Sequence, residues 1–198
     1  MYHSQLASGK IYSVAGPRPY HHGALRTALL DAAAAEIADV GPAAMSVRKV
    51  AARAGVTHTA AAHHFGDKRG LLTALAVEGH RALADALVAA RPHGMLALGG
   101  AYLRFAHEHR PWFDVMFRPD LVRTDDPAFV AASRSSFGEL HEAASGGDLA
   151  YGAWGLVHGI AVLWLAGNLP AATVDEAEAL FRRSAKALAG AGRRPRRR

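Results

Sequence analysis

Apolar side chains recur along this chain every three or four residues, and runs that alternate apolar with polar in twos, the mark of a strand, are absent. The pattern predicts helices and no sheet. Leu25, Leu29, Ala33, Ile37 and Val40 form one helical stripe, which Gly41-Pro42 stops. Ser46 is placed to cap a short second helix in which Val47, Val50, Ala51 and Ala54 keep the spacing until Gly55 ends it. Thr57 is placed to cap a third that runs to Phe65. Asp67 then starts a long fourth, with Leu71, Leu72, Leu75, Leu83 and Leu87 as its apolar contacts and Pro92 as its close. Further helices are predicted over residues 95–108, 111–117, 127–144, 149–166 and 174–189. The expected fold is all-α with about nine helices: an N-terminal three-helix unit holding a helix-turn-helix, then a C-terminal helical body.

The two ends and one internal stretch stand apart from this pattern. Residues 1–22 lack an apolar run of signal-peptide length, and Gly16, Pro17 and Pro19 break any helix, so an unfolded arm is expected there. The basic residues 193–198 are expected to be a disordered tail. Residues 149–169 contain no Asp, Glu, Lys or Arg and are long enough to cross a membrane. Asp148 and Asn168-Leu169-Pro170 stand at the ends in place of basic anchors, and His158 and many Gly and Ala lie inside. These favour a buried helix of a soluble protein, with no membrane partner. Gly152, Gly155, Gly159, Leu163 and Ala166 fall along one side of this helix; Trp154, His158, Ala161 and Leu165 fall along the other. Each glycine costs roughly 0.8–1.0 kcal/mol of helix propensity against Ala. Close helix approach would offset that cost. The glycine side is therefore expected to pack with residues 174–189 in a four-helix bundle across the two-fold axis of a homodimer.

At 198 residues, with 51% hydrophobic and 20% charged side chains, the chain suits one compact unit or two small ones sharing a core. It has no cysteine, which excludes a disulfide scaffold, a Cys-ligated zinc and a thiol nucleophile, and which suits a reducing cytoplasm. The net charge of +6 is unevenly spread. Residues 1–70 hold eight basic against four acidic side chains, residues 71–192 ten against thirteen, and residues 193–198 five arginines. A basic head on a slightly acidic body points to a polyanion met at one end. Six of the twelve histidines lie in the head, so its positive charge grows below about pH 6.5.

The stretch 46–65, SVRKVAARAGVTHTAAAHHF, reads helix, glycine turn, helix. Ala51, Ala52, Ala54 and Gly55 are small enough to let two short helices pack at a steep angle, which makes a helix-turn-helix. Its second helix offers Thr57, His58, Thr59, His63 and His64 to the bases or phosphates of a major groove. Arg48, Lys49 and Lys68 are placed to neutralise phosphates. A metal site is not expected, because neighbouring helical residues diverge by about 100° and no carboxylate or Cys joins these histidines at ligand spacing. His107 and His109 point to nearly opposite sides of a helix and cannot share an ion. No Ser/His/Asp order, carboxylate pair or Gly-rich phosphate loop stands out, so neither an enzyme nor a cofactor is expected.

Three stretches taken together carry a family resemblance: Tyr20-His21-His22-Gly23-Ala24-Leu25, then Val50-Ala51-Ala52-Arg53-Ala54-Gly55-Val56-Thr57, then His64-Phe65-Gly66-Asp67-Lys68 with Leu71-Leu72. In order and spacing the chain resembles the tetracycline-repressor (TetR) family of one-component bacterial regulators. Trp154, Val157, His158 and Gly159 are similar to the W…HG signature of one TetR subgroup. The resemblance implies an N-terminal DNA-binding domain, a divergent C-terminal effector-binding domain, and a homodimeric repressor released from double-stranded operator DNA by a small molecule. One departure stands out. Relatives often carry a bulky residue and a phosphate-touching tyrosine just before the His-Phe pair, where this chain has Ala60, Ala61 and Ala62. That contact cannot be made from Ala62; His63, Tyr20 or the basic arm would have to substitute.

Tyr102, Phe105, Trp112, Phe113, Met116 and Phe117, with Trp154 and His158, supply apolar walls and a few polar groups. They describe an effector pocket or a plain aromatic core equally well. As a pocket they imply a small, largely apolar or aromatic effector. The expected organisation is an arm at 1–22, a DNA-binding domain at 23–68, an effector-binding and dimerisation domain at 69–192 and a tail at 193–198. The rival reading is a small-molecule binding protein whose degenerate head no longer grips DNA.

Overall fold

The computed structural model of the chain describes residues 22–191 except 145. The expected arm and basic tail lie outside the described residues, apart from His22, which opens the first helix. Among the described residues there are nine α-helices and no strand: α1 (His22–Ala44), α2 (Val47–Arg53), α3 (His58–Phe65), α4 (Lys68–Ala90), α5 (Met95–Glu108), α6 (Arg110–Met116), α7 (Pro127–Ala143), α8 (Gly147–Leu165) and α9 (Val174–Ala191).

The glycines and prolines punctuate the helices where the pattern placed them. In α1 the backbone leaves the helix at Gly41 (φ 77°, ψ 161°), and a short turn through Pro42 reaches Ala44. Leu29, Ala33 and Ile37 of its stripe are buried, while Val40 stands 42% exposed. The caps differ from one another. Thr57 and Asp67 do cap, accepting from the Ala60 and Gly70 amides at 3.2 and 2.8 Å. Ser46 holds the N-cap position in extended conformation, but its side chain makes no capping bond. The first turn of α2 is closed instead by the Ser46 carbonyl, which accepts from the Val50 amide at 3.0 Å. At the far end of α4 the helix stops at Ala90, and Pro92 sits inside a single 3-10 turn, Arg91–His93.

Helices α1 to α3 form the head, with Val50, Ala51, Ala61 and Phe65 turned inward. Helix α4 is the axis of the molecule. Leu71, Leu72, Leu75, Leu83 and Leu87 are fully buried along it, and α5, α6 and α7 pack around it while α1 meets its head end. Helices α8 and α9 lie on α5 and on each other. The crossing of α6 over α4 depends on Gly79, where an added Cβ would stand 2.6 Å from Met116 Sδ and 3.1 Å from Trp112 Cβ. The same short α6 also packs against α1, so it touches head and body at once.

The segment between α6 and α7 clasps the start of α4. The Arg69 guanidinium donates to the Val122 carbonyl from Nε at 2.9 Å and Nη2 at 2.7 Å. Arg123 answers from the other side: its guanidinium meets the Asp67 carboxylate at 2.8 Å and its amide donates to Thr73 Oγ1 at 2.8 Å. These bonds hold the head against the body where α4 begins.

Candidate nucleic-acid interface and ligand cavity

The head's turn is built from the backbone outward. Helix α2 ends with the Val56 amide on the Ala51 carbonyl (2.9 Å) and the Gly55 amide on the Ala52 carbonyl (3.1 Å), the paired reversal that closes a helix with a left-handed residue. Gly55 supplies that residue, at φ 70°. The chain then enters α3 with Thr57 at its cap, and the second helix lies across the first.

The sequence proposed nine head residues for DNA, Lys49 among them. Thr57, His58, Thr59 and His63 all stand exposed on α3, while His64 is half-buried toward Phe65 and Tyr20 lies outside the described residues. Arg48 on α2 is exposed and makes no ion pair among the described residues. Its neighbours are committed inward. Lys49 and Arg53 face the buried Glu36 carboxylate of α1 at 3.8 and 3.4 Å, and Arg53 also meets Asp39 at 2.6 Å. Lys68 already has one partner: its ammonium donates to the Ala43 carbonyl at 2.6 Å, where the end of α1 attracts a cation. Ala62 is half-buried on α3, a methyl group following those of Ala60 and Ala61.

A cavity of about 300 Å³ opens in the body between α4, α5, α6, α7 and α8. Four of the expected pocket residues line it: Tyr102, Met116, Phe117 and Trp154. The other four do not. Phe105 is buried on α5 beside His109 (5.1 Å between ring centres), and Trp112 stacks on that same His109 at 4.8 Å, over the α4–α6 crossing. Phe113 and His158 stand one layer behind the wall. His158 backs Phe117 at 4.6 Å and Tyr102 through a 2.8 Å hydrogen bond between the phenol oxygen and Nδ1. Lining and backing rings share one aromatic cluster, so residue type alone does not separate them.

Helix α7 supplies the wall that sequence reasoning missed, with Phe129, Ser133, Ser136, Phe137 and Leu140. The signal was available: Phe129, Ser133, Ser136 and Leu140 recur at helical spacing along one side. Helix α4 adds Leu83 and His80, a polar residue set in an apolar stripe, and α8 adds Tyr151 at the rim, its ring 5.1 Å from that of Phe137. His80 is buried between the edges of Phe117 and Phe129, with Nδ1 2.9 Å from Ser136 Oγ and Nε2 3.4 Å from the Met116 carbonyl. Burial lowers its pKa to about 4, so the ring is neutral at pH 7. Burial lowers the pKa of His158 and raises that of the Tyr102 phenol, which keeps both uncharged as well. Among the described residues, no Asp, Glu, Lys or Arg lines the cavity.

The head and body each match a known family. Residues 29–75 match bacterial regulatory proteins of the tetR family, and residues 95–188 match the tetracyclin repressor-like C-terminal domain. The chain belongs to the TetR family. Its members are transcriptional regulators that bind DNA, and the helix-turn-helix of this TetR chain is the family's DNA-binding unit. Among solved structures it is similar to a protein of unknown function from Rhodococcus sp. RHA1, at 32% identity and TM-score 0.68, over 85% of this chain and 98% of that one. The TetR family transcriptional regulator PfmR from Thermus thermophilus shares the fold at 19% identity and TM-score 0.62, over 78% and 94% of the two chains. So does the multidrug binding protein EbrR complexed with imidazole, at 22% identity and TM-score 0.55, over 80% and 93%. No curated protein matches the sequence.

Proposed function

We propose that two copies of this chain repress transcription from a near-palindromic operator, each laying α3 in the major groove, and leave it when a small, largely apolar or aromatic molecule fills the cavity. The observation that carries this reading is the outer face of α3, where His58, Thr59 and His63 stand exposed beside the unpaired Arg48. Side chains of this kind reach base edges and phosphates. The head is residues 23–68 and the effector and dimerisation body residues 69–192, and the arm and the basic tail add contacts to the duplex backbone. Such a protein works in the cytoplasm.

The dimer is supported by α8. Leu149, Tyr151, Val162 and Leu163 stand exposed on it, and Leu188 of α9 is exposed as well. Open space surrounds the position of an added Cβ at Gly152, Gly155 and Gly159, so nothing inside the described chain calls for glycine there. Among the described residues α8 is also the one helix long and apolar enough to cross a membrane. The missing side chains favour a second α8 lying close over a bilayer surrounding it.

Release follows from the cavity's walls. Helix α4 joins them to the head and α6 abuts α1, so a ligand that shifts either changes the separation of the two heads. That separation must match major grooves about 34–36 Å apart. Selection of operators from random duplexes, followed by footprinting, tests the proposal. A salt-sensitive, sequence-selective site supports it. Uniform weak binding to any duplex supports instead the rival reading of a binding protein with a degenerate head, which the methyl group of Ala62 favours.

A further inference from the structure

The two serines on the cavity wall share one property: their protons are already committed. The Ser133 hydroxyl donates to the Val130 carbonyl at 3.2 Å. Ser136 has one proton and two acceptors within reach, the Ser133 carbonyl at 3.1 Å and His80 Nδ1 at 2.9 Å. A neutral His80 carries a single N–H, and the Met116 carbonyl beside Nε2 can only accept, which places that proton on Nε2 and leaves Nδ1 to accept from Ser136. The other tautomer gives its proton to Ser136 and sends the serine's own to Ser133. Both arrangements leave the Ser136 oxygen an open lone pair and no proton.

On the opposite wall the fully buried Tyr102 hydroxyl shares a hydrogen bond of 2.8 Å with His158 Nδ1. The remaining surface is hydrocarbon and ring, chiefly Phe117, Phe129 and Phe137. A charged ligand entering here would lose its hydration with no counter-charge among the lining residues to meet it. A ligand bearing only acceptors would find no proton to receive from the two serines.

The geometry points to an uncharged aromatic compound that donates a hydrogen bond, a phenol or an aromatic N–H, with its ring among these phenylalanines and its donor on the Ser133 and Ser136 oxygens. This inference rests on reading the cavity as the effector site, and it narrows that reading from aromatic molecules in general to aromatic donors.

Three probes on the full chain test it by titration calorimetry at pH 7: 2-naphthol, its methyl ether 2-methoxynaphthalene, and 2-naphthoate. The naphthol hydroxyl, like a tyrosine's, stays protonated at this pH. The expected result is that 2-naphthol binds roughly fivefold to tenfold more tightly than the ether, the worth of one hydrogen bond, and that the carboxylate binds most weakly. In Ser136→Ala the preference for the naphthol over the ether should shrink to about twofold or less. The comparison on the unaltered chain stands even where that variant fails to fold. An ether that binds as well as the naphthol, a tighter carboxylate, or no heat from either neutral probe overturns the inference. Operator release is scored separately. A chain that holds 2-naphthol but ignores DNA upholds the inference against the regulator; one that grips an operator and prefers the ether does the reverse.

Discussion

His80 should make this fold acid-sensitive by an amount that can be isolated from every other titrating group. In the native chain the ring is 3% exposed, flanked by two phenylalanine edges and bonded to Ser136, and its pKa falls from 6.5 to about 4. The unfolded chain takes up the proton near 6.5. Between the two values the unfolded state therefore binds more protons, so stability rises with pH across this window and is lost as the medium is acidified. Each pH unit inside the window is worth about 1.4 kcal/mol, and going from about pH 7 to about pH 4.5 should cost roughly 2–2.5 kcal/mol through this residue alone. The perturbation is His80→Phe, which keeps a ring and removes the titration. Urea unfolding of both proteins, at one protein concentration and at both pH values, gives four free energies. Any offset from repacking cancels in the double difference, and so do His158 and the carboxylates, which both proteins retain. The variant should lose about 2 kcal/mol less stability than the parent on acidification. Equal losses would show that the native ring is solvated and would refute the reasoning.

Three further outcomes follow. Arg48→Ala should weaken binding to all duplexes and lower the slope of log affinity against log salt by about one, with melting unchanged, whereas Lys68→Ala should also lower the melting temperature because its ammonium holds the Ala43 carbonyl; an unchanged slope for Arg48→Ala removes its phosphate role. Leu163→Glu, at an exposed position on α8, should convert dimer to monomer in sedimentation while helicity by circular dichroism stays the same; a variant still dimeric excludes that face. Asp67→Ala should cost about 1 kcal/mol of stability for the lost cap, and Asp67→Asn should recover most of it while still losing the ion pair to Arg123; equal destabilisation by both would assign the effect to the clasp.

The helices were legible because their limits rest on local chemistry. Gly41, Gly55 and the caps Thr57 and Asp67 act within a few residues of themselves, and the charge asymmetry of the head needs no fold to be seen. The cavity was half legible for the opposite reason. Aromatic residues on α5, α6 and α8 mark a ring-rich region, but which ring faces the void depends on helices far apart in sequence. Phe113 and His158 back the wall where Phe117 and Trp154 form it. Ser133 and Ser136 carried only their helical spacing and His80 only its place in an apolar stripe, since small hydroxyls and a lone histidine read as ordinary helix positions until α4 and α7 come together. The bond made by Lys68 was hidden for a similar reason: its partner is a backbone carbonyl 25 residues away.

Helix α4 is also a lever. It runs unbroken for 23 residues, from the clasped Asp67 cap to Ala90, a rigid rod of about 34 Å at 1.5 Å per residue. His80 stands on it twelve residues beyond Lys68, an arm of about 18 Å. A pivot of about 5° at that fulcrum sweeps the tip by about 1.6 Å, and in the proposed two-fold dimer two such rods would double the error. A flat molecule slipped between α4 and α7 that turns the rod by this small angle would thus move its head end by more than an ångström.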